Sequence, residues 1–282
     1  MNKWITFVDK ISEMKIYHFL IFVLFVSTLY SGFQYRLPIV LISLFNLFYT
    51  HKTIEKLSVS LYALIFLGFS YTAYYSLANH YFLLGIFSLY LSYKLWFNDR
   101  SWNYPFYILA LVISVATLQK LGSTYFLEGN LIGQLLLNGT GLSIVGHLLD
   151  PEYTLHSEAF FDGYGNMPYE GRQVKIETTD SMIDFAVFFT WAIVLSEILL
   201  SLAVIFLKTR WKYISLLVFL ILTSITRSEF GFFSILITIS LFDTNFKDIK
   251  LRRWYKLLFP LFIICYCWVH SERVIWFFEN KL

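Results

Sequence analysis

Charged residues are missing from long stretches of this chain, and that absence restricts what it can fold into. Segments 16–31, 58–77, 81–97, 104–118, 183–207 and 258–269 hold almost no charge. A helix needs about 17 to 25 such residues to cross a hydrocarbon core of about 30 Å. Segments 37–49, 213–225 and 230–242 are shorter and suit tilted, interfacial or re-entrant helices. The apolar residues fall in blocks rather than amphipathic stripes. Only 15% of residues are charged, against roughly 25% in ordinary globular chains. The expected fold is all-α: a polytopic integral membrane bundle of about nine transmembrane helices, with residues 1–282 forming one bundle. A transmembrane β-barrel requires strands of alternating polarity, and segments 216–222 and 230–242 show none.

Charge placement gives the orientation. With the amino terminus in the cytoplasm, nine spans put Lys52, Lys56, Lys94, Arg100, Lys208, Arg210 and Lys212 on the amino-terminal side. The basic cluster from Lys247 to Lys256 joins them, and that side collects 15 of the 22 basic residues. This is the bias of the positive-inside rule. The expected location is the cell membrane, multi-pass, with the large loop extracytoplasmic. Residues 1–32 read as a retained anchor, because no small-x-small cleavage site follows Leu29. The net charge of +3 suits anionic headgroups of the lipid bilayer. It does not suit nucleic acid, since no soluble domain carries a basic stripe.

Residues 120–184 differ from the rest, with nine of the 19 acidic residues, three basic ones and nine of the 13 glycines. Segment 125–137 reads as one short apolar helix, interfacial or re-entrant, and 142–149 as a second that stops at Asp150-Pro151. Segment 152–181 reads as a loop with interspersed aromatic residues. An unstructured loop of that length is usually functional or disordered, and its rings favour an ordered cap. The stretch 120–182 is therefore an extracytoplasmic re-entrant or loop segment within the bundle.

Lys120 closes an apolar run and opens this polar segment, which places it at the outer rim of the bundle. A cleft screened from water disfavours an ammonium and makes the neutral amine available as a base. Tyr125 and Phe126 supply an apolar wall, and Glu128 a counter-charge. A lysine that snorkels to the headgroups is the alternative. Glu197 lies mid-way along 183–207, where a carboxylate must face protein and find a partner. Ser196, Ser201, an aromatic hydroxyl and Arg227 are the candidates, and both structural glue and a site role remain open. His147 and His156 with Asp150, Glu152 and Glu158 lack any recognised metal-ligand spacing, so no metal is assigned. Cys265 and Cys267 point to nearly opposite helix faces, which disfavours a redox pair. Asn138-Gly139-Thr140 is a formal glycosylation acceptor.

Lys120-Leu121, then Tyr125-Phe126 and Glu128-Gly129, resembles the Lys-Leu…Trp…Gly motif of the horizontally transferred transmembrane (HTTM) family. Phe189-Thr190-Trp191, Glu197, the basic turn 208–212 and the sequence Phe230-Gly231-Phe232-Phe233-Ser234 resemble its later helices in order and spacing. The likeness covers roughly residues 105–245. Tyr17 and His18 stand where the family often has an arginine, and Leu222-Thr223 where it often has a histidine. The family includes the membrane domain of vitamin K-dependent γ-glutamyl carboxylase. The resemblance implies that Lys120 is the base acting on a reduced, quinone-like lipid at the extracytoplasmic side. The candidate catalytic residues are Lys120, Glu197 and Glu128, and the candidate substrate-binding residues are Tyr125, Phe126, His147 and Arg227. The carboxylase's large lumenal domains have no counterpart here, so protein γ-carboxylation by this chain alone is not expected. Relatives of similar size include proteins needed to mature secreted toxic peptides.

Two functions follow. One is an enzyme with an extracytoplasmic site for lipid-quinone-linked chemistry or for maturation of an exported peptide. The other is a non-catalytic partner or chaperone for an exported product, working beside a co-encoded subunit. Transport is less favoured, because the chain shows no inverted repeat and no matched broken helices.

Overall fold

The computed structural model describes residues 12–27, 33–49, 51–72, 79–97, 105–137, 142–165, 178–207, 209–227, 230–243 and 246–281. Within these, the side chains of 33–35, 69–72, 79–80, 106, 161–165, 209, 223–227 and 269–281 are outside the description. The described residues are helical, with no strand among them. A helix occupies each of the nine apolar segments: α1 Glu13–Val26, α2 Phe33–Phe48, α3 Lys52–Thr72, α4 Asn79–Phe97 and α5 Pro105–Leu121 come first. Four short helices follow: α6 Thr124–Leu127, α7 Asn130–Leu137, α8 Ser143–Leu149 and α9 Tyr153–Gly165. Then come α10 Asp180–Phe206, α11 Thr209–Arg227, α12 Phe230–Leu241 and α13 Ile249–Lys281.

Among the described residues, only α10 is both long and apolar enough to cross a membrane. Arg36–Phe48, Tyr81–Phe97, Tyr107–Leu121 and Phe230–Leu241 are apolar but shorter. The helical content matches the all-α expectation, and the described lengths single out one helix as a span candidate.

The chain divides into two compact units: Met1–Val112, Leu207–Ile214 and Glu229–Leu282 form the first, and Ile113–Phe206 with Ser215–Ser228 the second. In the first unit, α12 is the core helix, buried from Phe233 to Leu241 and packed by α1, α4 and α13. Its Ser234, Thr238 and Ser240 hydroxyls donate to carbonyls one turn back, so they need no further partner. Ion pairs fasten one end of this unit. Arg252 donates to Glu13 at 2.7 Å, and Asp243, fully buried, accepts from Lys212 at 3.0 Å and from the Tyr213 hydroxyl at 2.6 Å.

In the second unit, short helices pack along the first half of α10. Ile132, Leu136, Leu137, Leu142, Tyr153 and Phe160 form a core with Met182 and Ala186. The structure corrects two expectations here. Segment 125–137 is two helices, because Gly129 between them adopts φ +80° and turns the chain. That conformation is open to glycine at little cost. A Cβ at Gly129 would also lie 2.7 Å from the Val187 nitrogen, so backbone meets backbone at this point. Segment 152–181 is not a loop throughout, since α9 occupies 153–165 and residues 166–177 fall outside the described set. Tyr153 and Phe160, seven apart, share one helical face and bury it in the core. Asn138-Gly139-Thr140 also lies outside the described residues.

Gly129→Ala is expected to lower stability by about 2 kcal/mol through backbone strain and the close approach to α10. Gly68→Ala, on a helix with nothing within 4 Å of the added Cβ, should stay within about 1 kcal/mol of the parent. Thermal unfolding of both variants in detergent checks this, and equal midpoints would contradict the close packing at Gly129.

Candidate functional site

Lys120 and Glu197, separated by 77 positions, meet in a largely buried ion pair in the second unit. Side-chain exposure is 16% for the lysine and 9% for the glutamate. Thr117 stands three residues before Lys120 on the same face of α5. Its hydroxyl lies 2.8 Å from the Ile113 carbonyl and 3.2 Å from Glu197 Oε2. Each carboxylate oxygen of Glu197 therefore accepts a bond from α5. Phe126 of α6 lies with its ring centroid 5.6 Å from the Lys120 ammonium, within range of a cation–π contact. Ser123 sets that ring by capping α6: its hydroxyl accepts from the Phe126 N–H at 3.2 Å.

The depth of the pair is set by α10. Residues 185–206 carry no charge except Glu197, which follows Phe185 by twelve residues and precedes Phe206 by nine. At the helical rise these are roughly 18 Å and 14 Å. The pair lies near the middle of the apolar run. α5 ends beside this part of α10, and α6 to α8 continue along its first half.

The outer face of α10 is apolar, and its inner face mixes apolar side chains with three polar ones. Phe188 (70% exposed), Trp191, Leu195, Leu199 and Phe206 (76% exposed) face outward, while Thr190, Glu197 and Ser201 are buried. Thr190 Oγ1 and Ser201 Oγ have no hydrogen-bond partner among the described residues.

Other residues singled out in the sequence sit elsewhere. Glu128 is exposed and accepts from Asn130 Nδ2 at 3.2 Å; it is not the counter-charge of Lys120, because Glu197 takes that place. The Tyr125 hydroxyl bonds to Gln134 Nε2 on α7. His147 is exposed on α8, its ring 3.7 Å from that of Tyr153, and it makes no contact with the pair. Arg227 ends α11 and its side chain falls outside the described set; the partner of Glu197 among the described residues is Lys120. Among the described residues no group of three or more His, Cys, Asp or Glu converges to hold a metal ion. Cys265 and Cys267 are both free thiols.

Sequence reasoning missed two residues that the fold connects, Thr117 and Thr178, and weighed Asp150 only as a metal ligand. For Thr117 a signal existed, one helical turn before Lys120. Asp150 is buried, and it accepts from His156 Nδ1 at 2.6 Å, Thr178 Oγ1 at 3.1 Å and the Glu152 N–H at 3.0 Å. Burial alone raises its carboxyl above the usual 3.8, but the bonds from His156, Glu152 and Thr178 outweigh this and hold it below. No protein-family model, curated protein or solved structure matches this chain.

Removing one member of a buried pair leaves an uncompensated charge. Lys120→Met and Glu197→Gln should each destabilise by about 3 kcal/mol, and the double variant by clearly less than their sum. A double-mutant cycle of unfolding free energies measures this, and additivity would contradict the contact. Thr190→Val, which removes an unpartnered buried hydroxyl, should raise stability by about 1 kcal/mol.

The Asp150 contribution has a defined sign. Its carboxyl sits lower in the folded state, so its stabilisation is complete above the unfolded value of 3.8 and disappears as pH falls through the folded value. Unfolding midpoints against pH should show this acid loss in the parent and a smaller one in Asp150→Asn.

Proposed function

We propose that this chain is an integral membrane protein of HTTM type whose Lys120–Glu197 pair is the working centre of a site reached from the extracytoplasmic side. The observation that carries the reading is the ion pair at mid-depth of a helix with an apolar outer face. Ionisable residues inside a membrane span are costly and face a partner or a pathway. A helix with hydroxyls and a carboxylate inward and Phe, Trp and Leu outward is stable where the surroundings are hydrocarbon. The short helices α6 to α9 suit a re-entrant insert, since irregular backbone at membrane depth is tolerated only where protein covers it.

On this reading Lys120 exchanges a proton with a bound substrate, Glu197 is its counter-charge, and Phe126 closes the apolar side. Thr117 holds Glu197 in place. The substrate class is a quinone-like lipid or a segment of an exported peptide, and the location is the cell membrane with the amino terminus inside. His147, Tyr125, Glu128 and Arg227 are not needed for this role.

A second reading has an observation of its own. The lysine and glutamate satisfy each other, which suits a structural pair in a non-catalytic partner or chaperone for an exported product. Exchanging the two charges separates the readings. Lys120→Glu combined with Glu197→Lys keeps a pair but moves the amine from α5 to α10. The catalytic reading expects the swapped protein to recover stability over either single variant, yet to fail in maturing the exported product, followed by mass spectrometry of the secreted fraction. Recovery of maturation together with stability would overturn it in favour of the structural reading.

Topology has a direct check. In a background with Cys265 and Cys267 replaced, a membrane-impermeant thiol reagent should label Glu158→Cys in intact cells. Lys56→Cys should react only after permeabilisation. The reverse pattern would remove the extracytoplasmic assignment.

A further inference from the structure

Asp150 and His156 form a second constellation, in contact with neither Lys120 nor Glu197. Asp150 follows α8, and its side chain is wholly buried. One carboxylate oxygen accepts from His156 Nδ1 and Thr178 Oγ1, and the other from the Glu152 N–H. All three bonds are donations to the carboxylate, so Asp150 is fully satisfied and fixed. An ionised carboxylate only accepts, so His156 carries a hydrogen on Nδ1 and, when neutral, a lone pair on Nε2. The His156 side chain is 24% exposed. Nε2 has no partner among the described residues, while every polar atom of Asp150 has one.

A buried acceptor that fixes the tautomer of a histidine, leaving the other nitrogen accessible, is the arrangement by which proteins make imidazole a directed base. A histidine serving only as a latch needs the Nδ1 bond alone. The surroundings select the ligand. Glu152 lies one turn before His156 and Glu158 two residues after it, and both are exposed. This field favours a cation. The geometry points to His156 as a proton acceptor, positioned by Asp150, for the protonated amine of a ligand such as a peptide amino terminus docking over α8 and α9.

The step balances without a co-reactant. Nε2 takes a proton from R–NH3+, which leaves R–NH2 and an imidazolium bonded to the Asp150 carboxylate. That proton returns to solvent or to the departing ligand. No redox change occurs and no covalent bond between heavy atoms forms. This assignment is independent of the Lys120–Glu197 reading.

The test uses the full-length protein in detergent with nitrogen-15-labelled histidine. The tautomer is read by long-range proton–nitrogen correlation at about pH 8, where an ordinary imidazole is neutral. The expected result is hydrogen on Nδ1 of His156 and none on Nε2; hydrogen on Nε2 would overturn the proposal. Diethyl pyrocarbonate should then acylate His156 faster than His147. Asp150→Asn presents an amide that donates to Nδ1, moving the hydrogen to Nε2, and should slow acylation of His156 about tenfold. An unchanged rate in an Asp150→Asn protein with parental melting behaviour would defeat the positioning role. Glycinamide should shift the His156 ring signals and N-acetylglycinamide should not; equal responses, or none to either, would reject the amine as ligand class. If Asp150→Asn fails to fold, the parent's tautomer and its response to the two amides decide the question.

Discussion

A lysine and a glutamate 77 positions apart hold each other where neither could stay alone, and much of the second unit is arranged around that constraint. A charge removed from water must be paired or lose its ionisation. Glu197 sits in an otherwise uncharged run of α10, and Lys120 and Thr117 reach it from one face of α5. Both partners on α5 lie within about a turn of its end, and the chain that follows continues as short helices beside α10.

That insert solves a backbone problem. Continuing from Lys120, the chain caps α6 through Ser123, turns at Gly129 and places α7 against Met182 and Ala186. The turn works because residue 129 has no side chain: the peptide of Ala186 and Val187 occupies the space a Cβ would need. Glu128-Gly129, read in the sequence as part of a family-like motif, acquires a mechanical meaning. The glycine permits contact, and the glutamate beside it stays exposed with Asn130. Its charge is not part of the pair.

The same unit holds a second carboxylate under different rules. Glu197 meets the Lys120 amine, whereas Asp150 is surrounded by hydrogen-bond donors that include an imidazole ring. The first arrangement keeps two opposite charges out of solvent. The second uses a buried carboxylate to orient a partly exposed histidine. Two acidic groups within one unit are thereby suited to different tasks, a distinction made by their partners rather than by residue type.

Helical architecture was legible in the sequence because long apolar blocks without period-two alternation carry no strand signal; each of the nine segments carries a helix. Glu197 was identifiable because one carboxylate in an apolar run is conspicuous, and Lys120 because it marks the change in composition. Their pairing was not legible. It depends on which faces of α5 and α10 meet, and on the level at which they meet, and nothing local encodes either. The break at Gly129 and the helix at 153–165 were hidden for a related reason. A positive φ and a buried face with a spacing of seven become visible only when α10 supplies the surface against which they pack. Composition and periodicity act through local backbone energetics and are carried by the chain itself. The matching of Lys120 to Glu197, and of His156 to Asp150, is an agreement between distant segments, so only the folded arrangement could decide it.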